Sequence, residues 1–505
     1  MDRNEILTRA LNSRVVEVIP EPTPLDPARR LSERLGRPVM LKREDLTPIF
    51  SFKLRGAYNR IAFLDKARRV RGVIAASAGN HAQGVAYSAR KLGIDARLVM
   101  PRTTPEIKVE AVRRLGAEID LIGDDYAEAE AACADIAART GMTVIPAYDD
   151  PDVIAGQATI ALEILRQTAP DLGSIVVPIG GGGLAAGIAA VIKAVRPRIR
   201  VIGVEPDDSD AMTRSIRTGR RVTLDRVGIF ADGVAVRTVG EITFELCRDC
   251  LDDCLTVSID EICAGMKDVF EDTRAVLEPA GALAVAGLKR LASNGSLPEG
   301  PVVAIASGAN ISFHRLAFAA ERALVGEHRE AIFAVTIPER PGAFLEFCRV
   351  IGDRNITEFN YRLSSRDEAH IFVGLEISGR AEAEETERML RRCGYRCHDL
   401  TDNELAKTHV RHMIGGRSWS SADEVLYSIS FPDRPGGFLK FLSALGGRWN
   451  ISLFHYRSHG SAYGRILCGF EARGCDREGL RARLDSIGVA WAEETENPAA
   501  AFFLR

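Results

Sequence analysis

From about residue 37 to residue 310 the chain alternates short β-branched runs with longer stretches of helical spacing, and this alternation restricts the fold more than any other feature. PVMLK, GVIAAS, ARLVMP, EIDLIG, TVIPAY, SIVVPIG, RVIGVEP and PVVAIASG read as buried strands. Segments such as HAQGVAYSARKLG and LAAGIAAVIKAVRP lie between them, with small and apolar residues at helical intervals. Such a pattern implies an α/β fold on parallel sheet, because each crossover between parallel strands needs a covering helix. In these folds ligands bind at the loops that follow the strands' C-termini. One run, Leu172 to Ile192, carries no charge over 21 residues and is long enough to span a bilayer. Pro178 and four glycines in its middle make it instead a strand, a turn and a helix that starts near Leu184.

Past about residue 325 the texture changes. Residues 332–362 read IFAVTIPERPGAFLEFCRVIGDRNITEFNYR, and residues 426–457 read LYSISFPDRPGGFLKFLSALGGRWNISLFHYR. Pro338, Arg340, Pro341, Gly342 and Phe344 match Pro432, Arg434, Pro435, Gly436 and Phe438 at an offset of 94. After one inserted residue, Asn355, Ile356, Tyr361 and Arg362 match Asn450, Ile451, Tyr456 and Arg457 at an offset of 95. This is an internal repeat. In each copy an alternating run gives a strand, RPG turns into a helix, and a second strand follows. Phe344, Phe347, Cys348 and Ile351 form the apolar face of the first helix, and Phe438, Phe441, Leu442 and Leu445 that of the second. Each copy therefore opens with a βαβ unit of about 30 residues in a module of roughly 80–90. A duplicated module that only stabilises an oligomer is the plainer alternative to a regulatory one.

Composition bounds the function. A length of 505 residues corresponds to about three domains. The formal net charge of −3 gives no reason to expect nucleic acid or a membrane surface as partner. The ten cysteines are too sparse for a disulfide framework. Cys247, Cys250 and Cys254 are closely spaced, but no histidine is near, so scattered thiols of a reducing cytosol are the better reading than a zinc site. The polar N-terminus MDRNEILTRALNSR shows no signal peptide, and a cytoplasmic protein is expected. Only 10 lysines stand against 56 arginines, so a lysine inside a motif is conspicuous.

Lys53 is such a residue, in Ser51-Phe52-Lys53-Leu54-Arg55-Gly56-Ala57, just after the loop Thr47-Pro48-Ile49-Phe50. A helical lysine is ordinarily a solvated surface residue. Here it sits in small and apolar company, and partial burial would lower its pKa and free a neutral amine for Schiff-base chemistry. Gly180-Gly181-Gly182-Gly183 joins a strand to a helix, where bare backbone N–H groups and the helix N-terminus can close on a phosphate; the alternative is a tight structural turn. The run lacks the Gly-x-Gly-x-x-Gly spacing of a dinucleotide site and the Gly-Lys-Ser/Thr of a nucleotide loop, which points to a small phosphorylated cofactor. Ser77-Ala78-Gly79-Asn80-His81 offers hydroxyl, amide and free N–H donors at a helix N-terminus, suited to a carboxylate, or serves as an ordinary helix cap. Asn80 can also bond a phenolic oxygen. Ser307-Gly308-Ala309-Asn310 ends the last apolar strand, either as a cap or with a hydroxyl directed at a ring nitrogen.

Taken together, SFKLRGAY, SAGNHAQGVA, GGGGLAAG and SGAN, with FADGVAV and EPAGALA between the last two, resemble the serine/threonine dehydratases over roughly residues 20–325. The duplicated C-terminal module resembles the ACT-like regulatory repeats that occur in this family. The resemblance implies a tryptophan synthase β-like, fold-type II α/β catalytic domain in two lobes (1–325), followed by two α+β ACT-like modules (326–420 and 421–505). It also implies pyridoxal 5'-phosphate, carried by Lys53 as a Schiff base. Phe52 then lies against the ring region, Asn80 bonds the phenolic oxygen, Gly180, Gly181, Gly182, Gly183 and Leu184 hold the phosphate, and Ser307 faces the ring nitrogen. A hydroxyl at that nitrogen makes the ring a weaker electron sink, which favours β-elimination over transamination. Ser77, Ala78, Gly79, Asn80 and His81 become the substrate-carboxylate receptor. The implied activity is L-threonine ammonia-lyase, yielding 2-oxobutanoate and ammonia. The implied effectors are isoleucine as inhibitor and valine as activator, with Asn355 and Asn450 as candidate contacts, and the implied assembly is a homotetramer. A serine dehydratase, a serine racemase and a catalytically dead amino-acid sensor are the alternatives. The first two generally end near residue 325, and retention of Lys53, Asn80, the glycine run and Ser307 speaks against the third.

Overall fold

The computed structural model describes residues 1–104, 106–124, 126–362, 367–408, 410–412, 424–432, 437–457, 463–472 and 474–497. The chain divides into two units, Met1–Gly326 and Glu327–Arg505. The expected boundary between the C-terminal modules at 420/421 lies outside the described residues, as do Arg434, Pro435 and Gly436 of the second RPG turn.

In the first unit the strands are β1 (Leu25–Pro27), β2 (Val39–Arg43), β3 (Val73–Ala76), β4 (Ala96–Met100), β5 (Glu118–Leu121), β6 (Thr143–Val144), β7 (Ser174–Pro178), β8 (Arg200–Pro206), β9 (Asp253–Val257) and β10 (Val302–Ala306). They form two sheets, ordered β5-β4-β3-β6 and β1-β2-β10-β7-β8-β9. All pairs are parallel except β1 with β2. Every run expected as a strand is one. Two further strands carried no readable signal: β1 has only three residues and ends in proline, and β9 is a partly exposed strand at the sheet edge. Cys247 and Cys250 lie on the helix Glu241–Cys250, whereas Cys254 lies on β9. All three thiols are free, and among the described residues no three His, Cys, Asp or Glu side chains gather as a metal site would require.

The uncharged run from Leu172 resolves into β7, the glycine turn and the helix Gly183–Val195, which is buried from Gly183 to Ile192. It is apolar all round because it is covered by protein on every side. Among the described residues no helix is long and apolar enough to cross a membrane. Glycines let the helices touch backbone to backbone: a Cβ on Gly156 would stand 2.7 Å from the Arg55 carbonyl oxygen, and one on Gly187 2.7 Å from that of Ile154.

The second unit holds β11 (Glu330–Pro338), β12 (Ile356–Arg362), β13 (Glu368–Glu376), β14 (Arg396–Asp399), β15 (Glu424–Pro432), β16 (Asn450–Arg457), β17 (Tyr463–Glu471) and β18 (Ala490–Glu493). Their order is β14-β11-β13-β12-β16-β17-β15-β18, and every pairing is antiparallel. The two strands of each expected βαβ unit do not touch, because β13 lies between β11 and β12, and β17 between β15 and β16. The third strand of each copy folds back into the gap, giving a β-α-β-β-α-β module. The pairing of β12 with β16 joins the copies. Asn360 stands opposite its own repeat equivalent, His455, so a local two-fold axis passes through that pair. Around the axis Phe344, Phe359, Phe438 and Phe454 form one aromatic cluster, two from each copy, with ring centroids 5.1–6.1 Å apart along its sides.

Candidate active site

Parallel strands aim their C-terminal ends the same way, and the segments that follow β2, β3, β7 and β10 carry the residues singled out by sequence. In the large sheet β10 lies between β2 and β7, which sets Ser307 beside the chain leading to Lys53. The Phe52 N–H donates to the Ser307 carbonyl at 3.1 Å, and Ser51 bridges to Gly308. Phe50, at φ +56°, is held left-handed on the way into this turn. Lys53 then opens the helix Lys53–Ala62.

That helix is firmly anchored. Arg55, wholly buried, donates to Glu44 at 2.7 Å and to Glu163 at 2.6 Å, and Lys42 donates to Glu163 at 2.6 Å. Four opposed charges thus satisfy one another where a lone charge would cost several kcal/mol. Gly56 N–H donates to Gln157 Oε1 at 3.2 Å. On the other flank Gly84 lets the helix Asn80–Leu92 approach so closely that a Cβ there would stand 3.2 Å from the Lys53 carbonyl oxygen.

Lys53, Phe52, Asn80, all four glycines, Leu184 and Ser307 line one cavity, together with Tyr148, Gly233, Val234, Glu278 and Ala280. The Lys53 amine donates to the Ala147 carbonyl at 2.9 Å and lies 5.3 Å from the centre of the Phe52 ring. Burial lowers its pKa to about 8, against the opposing pull of the Glu278 carboxylate. Glu278, at the start of the helix Pro279–Ser293, is itself pushed up to about 7 by burial, although it accepts from Asn80 Nδ2 at 2.6 Å. Asn80 Oδ1 accepts from Asn310 Nδ2 at 2.7 Å, so the amide is oriented with its NH2 group toward Glu278.

The glycine run has the form of a cradle. A Cβ on Gly181 would stand 2.3 Å from ring carbons of Tyr148, one on Gly180 2.9 Å from the Val234 Cα, and one on Gly182 2.7 Å from the Met212 Cε. Gly182 is also left-handed, at φ +98°, where only glycine is unstrained. A side chain at any of the four would crowd the packed neighbours Val234, Tyr148, Met212 or Thr243, so the run stays bare beside the N-terminus of the helix Gly183–Val195, whose first N–H groups lack partners within the helix. Such an end suits an anion. With a primary amine, an amide donor and a buried hydroxyl around it, the cavity suits a phosphorylated aromatic aldehyde.

Ser77, Ala78 and Gly79 form the turn after β3, with Gly79 N–H donating to Ser77 Oγ at 3.3 Å, but the cavity lining begins at Asn80. The His81 side chain turns away into the protein, where its Nε2 meets the Ile145 carbonyl at 2.8 Å. Burial and the Lys53 charge depress its pKa to about 3, so it is neutral and structural. Sequence reasoning passed over Tyr148, Gly233 and Glu278. Each stood in a quoted run, Tyr148 at the end of TVIPAY, Gly233 in FADGVAV and Glu278 in EPAGALA, and for Glu278 an acid directly before the Pro279 that opens a helix was the available sign.

A parallel α/β unit with a lysine amine and a glycine-lined helix N-terminus at its strand ends has the parts that a pyridoxal-phosphate enzyme needs. Residues 16–308 match the pyridoxal-phosphate dependent enzyme family, and residues 321–410 and 415–504 each match the C-terminal regulatory domain of threonine dehydratase. The biosynthetic L-threonine dehydratase IlvA of Burkholderia multivorans is 52% identical over 507 residues, covering 100% of both chains. The processed form of threonine deaminase isoform 2 from Solanum lycopersicum superposes with a TM-score of 0.62 at 44% identity, covering 64% of this chain and 93% of that one. Maize serine racemase does so with a TM-score of 0.58 at 31% identity, covering 65% and 99%. The chain belongs to the threonine dehydratase family of pyridoxal-phosphate enzymes, and its cofactor is pyridoxal 5'-phosphate.

Proposed function

We propose that the protein converts L-threonine to 2-oxobutanoate and ammonia, the first step towards isoleucine. The observation that carries this reading is the single cavity that brings the Lys53 amine, the Asn80 amide and the glycine cradle together, in a chain whose full length matches a biosynthetic L-threonine dehydratase. Bound there, the cofactor supplies an electron sink that acidifies the substrate Cα–H. Gly180 to Gly183, with Leu184, hold its phosphate. Asn80 gives an N–H to the phenolic oxygen, and Ser307 meets the ring nitrogen. Lys53 would hold the cofactor and, as a free amine, would take the substrate Cα proton; its lowered pKa leaves a useful neutral fraction near pH 8. The Cβ–O bond breaks, the hydroxyl leaves as water after gaining a proton, and the released enamine hydrolyses, taking up water and giving up ammonia. Ser77, Ala78, Gly79, Asn80 and His81 form the receptor for the substrate carboxylate, through backbone N–H groups rather than the buried imidazole.

We also infer that isoleucine, as inhibitor, and valine, as activator, bind the second unit. A cavity there is lined by Arg340, Gly342, Phe344, Trp449, Asn450 and Phe470 among others, a charged and an amide side chain over an apolar floor. This supports Asn450, which donates to Glu339 at 3.1 Å and Glu471 at 3.0 Å, over Asn355, which pairs with Glu376 away from that lining. The assembly is a homotetramer of the cytosol in this reading. Keto-acid release from threonine against serine, with and without isoleucine, tests both proposals. A serine preference, or D-serine formation, would favour the dehydratase or racemase reading that the likeness to maize serine racemase keeps in view.

A further inference from the structure

Residues 147–149 reach both ends of the cofactor cavity. The Ala147 carbonyl takes the Lys53 amine, and the Tyr148 ring lies against Gly181. Asp149 does neither. Its carboxylate accepts from the first three N–H groups of the helix Glu241–Cys250, those of Glu241, Ile242 and Thr243, at 2.9, 3.0 and 3.2 Å. The residue before that helix, Gly240, offers no side-chain cap. A Cβ on Gly240 would stand 2.3 Å from Asp149 Oδ1, so the chain is bare there where Asp149 enters.

The capped helix in turn grips the phosphate loop. Thr243 Oγ1 donates to the Gly181 carbonyl at 2.6 Å, and one turn on Cys247 Sγ approaches the Gly182 carbonyl at 3.9 Å. In a trans peptide the C=O and the following N–H point in opposite directions. Fixing the Gly181 carbonyl on Thr243 therefore turns the Gly182 N–H to the opposite side of the loop from that helix.

We propose that Asp149 is a positioning residue for the phosphate cradle, acting through Thr243: it supplies, from a distant segment, the N-terminal cap of the helix that orients the glycine-loop peptides. The inference rests on the reading that this loop holds the cofactor phosphate. It adds that cofactor affinity is set partly by a carboxylate that never touches the cofactor.

The test is equilibrium rebinding of pyridoxal 5'-phosphate to the full-length apoenzyme, followed by absorbance, with the 31P resonance of the bound phosphate as second readout. Asp149→Ala and Thr243→Val should each weaken rebinding roughly ten-fold, the scale of one lost cap, and shift the 31P resonance. The double variant should lose little more than either single one, because both break the same chain of contacts. Thr243→Ser, which keeps the hydroxyl, should rebind as wild type. Should Asp149→Ala fold poorly, Asp149→Asn, which retains one acceptor oxygen, serves in its place with a smaller loss expected. Unchanged rebinding and resonance in the Asp149 variants, or fully additive losses in the double variant, would overturn the proposal. The parent reading fails separately: inorganic phosphate would then not compete with the cofactor for wild-type apoenzyme.

Discussion

Burial of the Lys53 amine ties cofactor capture to pH. Its pKa of about 8 reflects desolvation opposed by the Glu278 carboxylate. The neutral amine is the nucleophile, so the rate of cofactor rebinding to apoenzyme should rise with pH and level off above about 8. Removing the carboxylate in Glu278→Gln should move that midpoint to lower pH, and a midpoint left in place would show that the two groups do not interact. Lys53→Ala should remain colourless after cofactor addition and lose turnover by about 10³-fold or more. His81 governs stability rather than chemistry. Its folded pKa of about 3 lies below the ordinary value of 6.5, so the unfolded chain binds more protons between those limits. Its contribution is complete above pH 6.5 and is lost as pH falls toward 3. His81→Gln, which can still donate to the Ile145 carbonyl, should flatten that part of the acid limb in denaturant titrations.

Among the elements, the helix Lys53–Ala62 depends on bare backbone and on buried charge. Gly156→Ala forces a methyl to 2.7 Å from the Arg55 carbonyl oxygen and should cost about 1–3 kcal/mol, read as a lower urea midpoint. Arg55→Ala strands the buried Glu44 carboxylate and leaves Glu163 to Lys42 alone, and should cost about 3–5 kcal/mol. Eight of the ten strands of the first unit were legible, six of them (β2, β3, β4, β7, β8 and β10) because burial on both faces writes continuous apolar runs, and the glycine run because a Cβ there would collide with packed neighbours. Much of the rest was not legible. Nothing local marks Asp149 as the cap of a helix some ninety residues away, or Glu278 as the partner of Asn80. Such contacts depend on the tertiary approach of distant segments, and one sequence contains no trace of it. The direction of the His81 ring was unreadable for the converse reason: its place in the motif is the same whether the ring faces the cavity or Ile145.

On the scale of the whole molecule, the two units keep separate hydrophobic cores, one set within residues 6–323 and the other within 331–484. A chain ending at Gly326 should therefore fold and turn over threonine while losing its response to isoleucine; inhibition that persists in a folded truncate would remove the regulatory role from the second unit. The repeat was plain in sequence, whereas the insertion of β13 and β17 into the split units was not, because pairing partners are not written in periodicity.

The axis through Asn360 and His455 has one more consequence. Two identical subunits meeting across a symmetric strand pair receive every substitution twice. Here the halves are one polypeptide, and they have already diverged beside the axis. In the first copy Glu358 accepts from the buried Arg411 at 2.9 Å, whereas Leu453, its equivalent in the second, is buried apolar surface. A substitution can therefore be placed in one half and withheld from the other, so the energetic share of each half can be measured singly, which an ordinary homodimer does not permit.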